Sequence, residues 1–200
     1  SSSHLPSLVA DRAGDRKQEV TDRVMKAALV KEFGRPFEIT EIAVPTITPG
    51  EMLVKVDTAG IIFGEMLIAT GKYQVRPHLP FVPGTEFSGV VVEVGRDVQG
   101  FAVGDHVAAT GFVGDSRIDR KVVGSLAEYR AIPPENAVKV PDAVPLEQAA
   151  LFRSNNETSF FGLYKGGLKA GETLLVMGAS GGTGFAAVQI GKLLGARVIA

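Results

Sequence analysis

The chain has 200 residues, 45% of them hydrophobic and 22% charged, with a formal net charge of −1, an ordinary composition for a chain able to bury a core. Lys and Arg are interspersed with acids and leave no basic stripe, which argues against nucleic acid as a partner. No apolar run is long enough to span a bilayer, and the Ser-rich start lacks a signal peptide's apolar core, so a cytoplasmic location is expected. There is no cysteine, and the three histidines, His4, His78 and His106, stand far apart without ligand spacing. Neither a disulfide nor a metal site is expected on that ligand supply.

Residues 1–24 mix Ser, Asp, Arg and Gly and read as a disordered leader or tag outside the fold. From Met25 the pattern is strand-like. Met25–Val30 and Phe37–Val44 are short runs, the second closed by Pro45. Thr48-Pro49-Gly50-Glu51 is a turn signal ahead of a strand over Met52–Val56. Gly89–Val94 is a β-branched run ended by Gly95, and Gly104-Asp105 turns the chain into a short strand, His106–Ala109. Short strands between Gly and Pro turns predict a β-barrel or sandwich over about residues 25–140.

Near residue 141 the period changes. Pro141–Pro145 reads as a helix entry, Leu146–Leu151 as helix, and Thr158–Gly166 as a second helix ended by Gly166-Gly167. Thr173–Met177 is a continuous apolar run, as a strand buried on both faces requires. A glycine loop, a helix over Phe185–Leu194 and a second strand from Ala196 complete a βαβ unit that stops within its last strand.

Gly178-Ala179-Ser180-Gly181-Gly182-Thr183-Gly184 follows a strand and opens a helix, the setting a dinucleotide fingerprint needs. Ala179, Gly181 and Gly184 occupy its three small positions: a tight turn, close approach to a pyrophosphate, and close packing of helix on strand. The amides of Gly182, Thr183 and Gly184 then face phosphates at the positive end of the helix dipole. The plainer alternative is a glycine-rich strand-to-helix turn without a ligand.

Extended to Gln189 and Lys192, this stretch resembles the signature of the quinone oxidoreductase/zeta-crystallin family, in the zinc-independent branch of the medium-chain dehydrogenase/reductase superfamily. Gly171-Glu172, Pro49-Gly50-Glu51, Leu79–Glu86, Val103-Gly104-Asp105 and Ala127-Glu128-Tyr129 carry the likeness through the rest of the chain. The resemblance implies an α/β plus β-rich architecture. A GroES-like catalytic barrel over 25–145 precedes the first βαβ unit of a truncated Rossmann-type domain over 146–200.

Zinc-dependent relatives carry histidine where Thr85 stands, so the resemblance implies zinc-free hydride transfer. The acceptor would be a quinone or an activated C=C bond (enone, enal or enoyl), with NADP(H) preferred over NAD(H). It implies a cleft lined by Ala59–Leu67, with Ile62 where relatives have Asn and Glu65 where they have Asp. Catalytic positions are then Ile62, Glu65 and Thr158. Cofactor contacts are Phe63, Gly64, Thr158, Ala179, Ser180, Gly181, Gly182, Thr183 and Gly184. Ile61 and Ile62 read equally as core packing, Thr158 equally as a helix N-cap. Tyr73 and Tyr129 read as packing residues, and Glu86 as structural. Relatives imply a homodimer for the full-length protein. The competing function is a non-catalytic, crystallin-like cofactor binder or an inactive fragment of the reductase, favoured by Ile62 and by Leu67 where some relatives have Tyr.

Overall fold

The computed structural model describes residues 23–111 and 124–200. The expected leader lies almost wholly outside them. Strand β1 (Val24–Leu29) pairs antiparallel with β2 (Glu38–Ala43), Met25 facing Ile42. Five further strands make one antiparallel sheet: β3 (Met52–Gly60), β4 (Glu86–Val94), β5 (His106–Thr110), β6 (Tyr129–Ile132) and β7 (Ala137–Lys139). Their order is β6-β3-β4-β5-β7, and bridges at Ala27–Ala127 and Val30–Phe81 tie the hairpin to the rest.

Successive residues of a strand point to opposite faces, and both faces of β3 are covered. Met52 and Val54 join Phe87, Val91, Val107 and Ile132 in one core. Leu53 joins Met25, Ala27, Val44 and Val82 in another. Strands β3 and β4 run past the limits expected at Val56 and Gly89. The added residues include the polar Asp57, Thr58, Glu86 and Ser88, which interrupt the apolar runs. Pairing extends the strands regardless: Thr58 faces Ser88 and Gly60 faces Glu86. A short helix α1 (Phe63–Ala69) follows β3 and seats Ile68 and Ala69 beside Val30 and Phe81.

After β7 the chain forms a single helical turn α2 (Leu146–Ala149), then α3 (Phe152–Lys165). The helix expected to start at Thr158 therefore starts at Phe152. The parallel pair β8 (Thr173–Leu175) and β9 (Arg197–Ile199) flanks α4 (Gly182–Leu193), which is the expected βαβ unit. Helix α4 lies close over one face: a Cβ on Gly191 would stand 2.6 Å from Leu174 Cδ2. The other face is open, with Leu175 66% and Met177 88% exposed. The expectation that Thr173–Met177 is buried on both faces is thus corrected, because among the described residues no element covers the Leu175 side.

Candidate cofactor-binding site

The glycine loop joins β8 to α4. Gly181 N–H donates to Gly178 O at 3.0 Å, closing the turn. Gly184 comes so close that a Cβ on it would stand 2.2 Å from Gly178 O. Gly181 is the N-cap of α4 and brings no side chain to cap the helix. The amides of Gly182, Thr183 and Gly184 open that helix, where intrahelical acceptors are lacking and the dipole is positive. Beside them is a cavity of about 570 Å³, whose lining includes Thr158, Leu163, Met177, Gly181, Thr183 and Gly184. It is an open groove rather than an enclosed pocket. Ala179 and Ser180 shape the bend of the loop but do not line this cavity.

Thr158 lies in the interior of α3, whose N-cap is Leu151, so the reading of Thr158 as an N-cap is overturned. Its neighbour Ser159 ties α3 to the loop: the buried hydroxyl reaches Asn155 O at 2.9 Å and Thr183 O at 2.7 Å. Neither Ser159 nor Asn155 was legible as a site residue, because nothing in their spacing announces a contact across the α3–α4 crossing.

The segment expected to line a cleft sits apart from this cavity. Ile62 is the N-cap of α1 and offers no polar group; Phe63 at its first turn is 73% exposed. Gly64 is half-buried, and a Cβ there would touch Tyr73 at 4.0 Å. Ile61 is 66% exposed, so core packing does not describe it. Tyr73 and Tyr129 pack against the apolar clusters, as expected of them.

Glu65 is buried and turned inward. Its Oε2 accepts the Gly84 N–H at 3.0 Å and its Oε1 accepts the Thr85 hydroxyl at 2.6 Å. From the other side the buried Arg130 donates to Gly84 O at 3.2 Å, Thr85 O at 3.3 Å and Gly111 O at 2.8 Å. The Gly84-Thr85 turn is therefore gripped between a carboxylate on its donors and a guanidinium on its acceptors. Burial draws the Arg130 pKa down to about 10, opposed by the Glu65 charge. Arg130 shares the inward face of β6 with Ile132, a placement that no apolar–polar alternation in Tyr129–Ile132 announces.

Glu86 is completely buried. Its Oε2 accepts the Ser154 N–H at 2.9 Å, while Oε1 has no hydrogen-bond partner. Burial pushes its carboxyl above the usual range, the Ser154 contact opposes this, and the Glu65 and Glu157 carboxylates add to it. Among the described residues, no three His, Cys, Asp or Glu side chains converge as a metal centre would require.

Residues 48–142 match the Alcohol dehydrogenase GroES-like domain. Quinone oxidoreductase-like protein 2 of Bos taurus is 37% identical over 181 residues, spanning 89% of this chain and 49% of that protein. An alcohol dehydrogenase of Geobacillus stearothermophilus is 34% identical, over 88% of this chain and 57% of its own length. The crystal structure of the quinone oxidoreductase from Thermus thermophilus, also described in complex with NADPH, superposes with a TM-score of 0.73 at 33% identity. The match covers 87% of this chain and 52% of that one. The chain spans about half the length of the curated relatives it matches. Its glycine signature, its β-rich domain leading into a βαβ unit and these relatives agree: the chain belongs to the quinone oxidoreductase-like family of the medium-chain dehydrogenase/reductase superfamily.

Proposed function

We propose that this chain is the catalytic-domain and first cofactor-binding portion of a zinc-independent oxidoreductase that passes hydride from NADPH to a quinone or an activated C=C bond. The observation that carries the reading is the uncapped first turn of α4, opening beside a cavity of about 570 Å³ that Thr158 also lines. The residues fit a dinucleotide: the Gly184 close approach fills the space a side chain would take, and the exposed Gly181, Gly182 and Thr183 leave the amides accessible. A nicotinamide bound there supplies the hydride. The amides of Gly182, Thr183 and Gly184 hold the phosphates, and the Thr158 hydroxyl offers a contact for the carboxamide. Leu163 and Leu174 add apolar contacts to the lining beside Thr158.

Thr85 supports the zinc-free reading, since its hydroxyl is spent on Glu65 and the chain has no cysteine. NADPH rather than NADH is proposed from the family, with the Thermus thermophilus complex as support. A second reading, cofactor binding without turnover, is favoured by the apolar Ile62 at the expected cleft position.

NADPH fluorescence, titrated with the chain, tests the cradle. NADPH consumption with a quinone and with a 2-enal, NADH in parallel, tests the reaction. Turnover with either acceptor establishes the reductase. Binding without turnover moves the conclusion to the second reading, and no binding removes both.

A further inference from the structure

Helix α3 has no capping side chain of its own, since Leu151 occupies its N-cap. The acceptor for its Ser154 amide comes instead from β4, where Glu86 reaches it from 68 residues away in sequence. A carboxyl there meets both an orphan donor and the positive end of the dipole. The fold keeps room for it: a Cβ on Gly60 would stand 2.9 Å from Glu86 Cγ and 2.5 Å from Leu151 Cδ2. Further along the same helix, Ser159 bonds Thr183 O at 2.7 Å, and the Asn155 amide fills the space beside Gly182, 2.7 Å from where a Cβ would be. One rigid helix thus runs from a barrel strand to the glycine loop.

We propose that Glu86 is a positioning residue for the cofactor loop: by capping α3 from β4, it sets where Ser159 meets Thr183 and hence where the α4 amides point. The proposal rests on the cofactor reading above and deepens it. Glu86 touches neither the loop nor the cavity; its influence passes through α3.

The test uses the whole chain with Glu86→Gln, Glu86→Leu, Ser159→Ala and the double variant Glu86→Leu/Ser159→Ala. Gln keeps an acceptor oxygen for Ser154, so E86Q binds NADPH within about twofold of the parent. Leu fills the volume without an acceptor, so E86L weakens NADPH binding about tenfold. S159A weakens it about threefold. Because both act on one contact, the double variant is no weaker than about E86L alone. Hydrogen exchange gives a readout free of cofactor: in E86L the amides of Phe185, Ala186 and Ala187 exchange faster, while those of Val176 and Arg197, which bond within the β8–β9 pair, keep their rates.

Losses that multiply in the double variant, or exchange that quickens equally at Val176, overturn the proposal, because Glu86 then acts on general stability alone. S159A keeps the test decisive if E86L fails to fold: a parent-like NADPH affinity and parent-like exchange in S159A refute the route through α3. If the parent chain itself does not bind NADPH, the cofactor reading falls and this inference with it. If the parent binds and all variants bind equally, only this inference falls.

Discussion

At the scale of single residues, two features carry measurable consequences. Glu86 is buried, and its carboxyl sits above the ordinary value of 4.5. Below about pH 4.5 the folded and unfolded chains both hold this proton and the contribution to stability is constant. As the pH rises, the unfolded chain releases the proton first, so the folded state loses ground until its own Glu86 ionises. Urea midpoints measured across this range should therefore fall less steeply with pH in E86Q than in the parent. Parallel curves would contradict a retained proton. The second feature is Gly184. Its Cβ-free approach to Gly178 O closes the loop, so Gly184→Ala forces the turn apart and costs NADPH binding about tenfold or more, read by fluorescence titration. An unchanged affinity would show that the turn is not part of a cofactor cradle.

At the scale of elements, β4 is the organising strand. It pairs with β3 on one side and β5 on the other, and it contributes Phe87 and Val91 to the core, Glu86 to the α3 cap, and Ser88 to a bond with Leu146 O at 2.6 Å. Phe87 is fully buried, with the Arg130 guanidinium 5.3 Å from its ring centroid. Phe87→Ala should lose about 3–5 kcal/mol of stability in urea unfolding, through lost burial and the cavity left behind. A loss under about 1 kcal/mol would mean the site collapses without cost. Helix α3 makes the complementary point. Its first turn, from Phe152, meets Glu86 of β4 at the Ser154 amide, a contact that no local rule for helix starts can register.

At the scale of the molecule, the large buried clusters lie in the β-rich part, while α3 and the βαβ unit leave many apolar side chains open. Phe152, Phe161, Tyr164, Leu175, Met177, Phe185 and Leu193 are each more than half exposed, from 56% at Phe152 to 88% at Met177. Exposed apolar side chains in that number favour association in water. The 200-residue chain by itself should therefore self-associate at concentrations of roughly tens of micromolar, seen as rising weight-average mass in sedimentation, and Phe161→Glu should reduce it. A monomer at all concentrations would refute this. Much of the architecture was already written in local patterns: Gly and Pro punctuation delimits the short strands, and the loop from Gly178 to Gly184 is recognisable because its chemistry is backbone chemistry confined to a few consecutive residues. Those features follow from the sequence alone, since steric freedom and hydrophobic alternation act over neighbouring positions. The tertiary structure alone decided that Glu65 turns inward to hold Gly84 and Thr85, that Arg130 grips the same turn from the far side, that Thr158 joins the glycine loop without Ile62, and that Glu86 caps a helix it does not belong to. Each of these joins groups distant in sequence, and their pairing depends on which strands the barrel brings side by side.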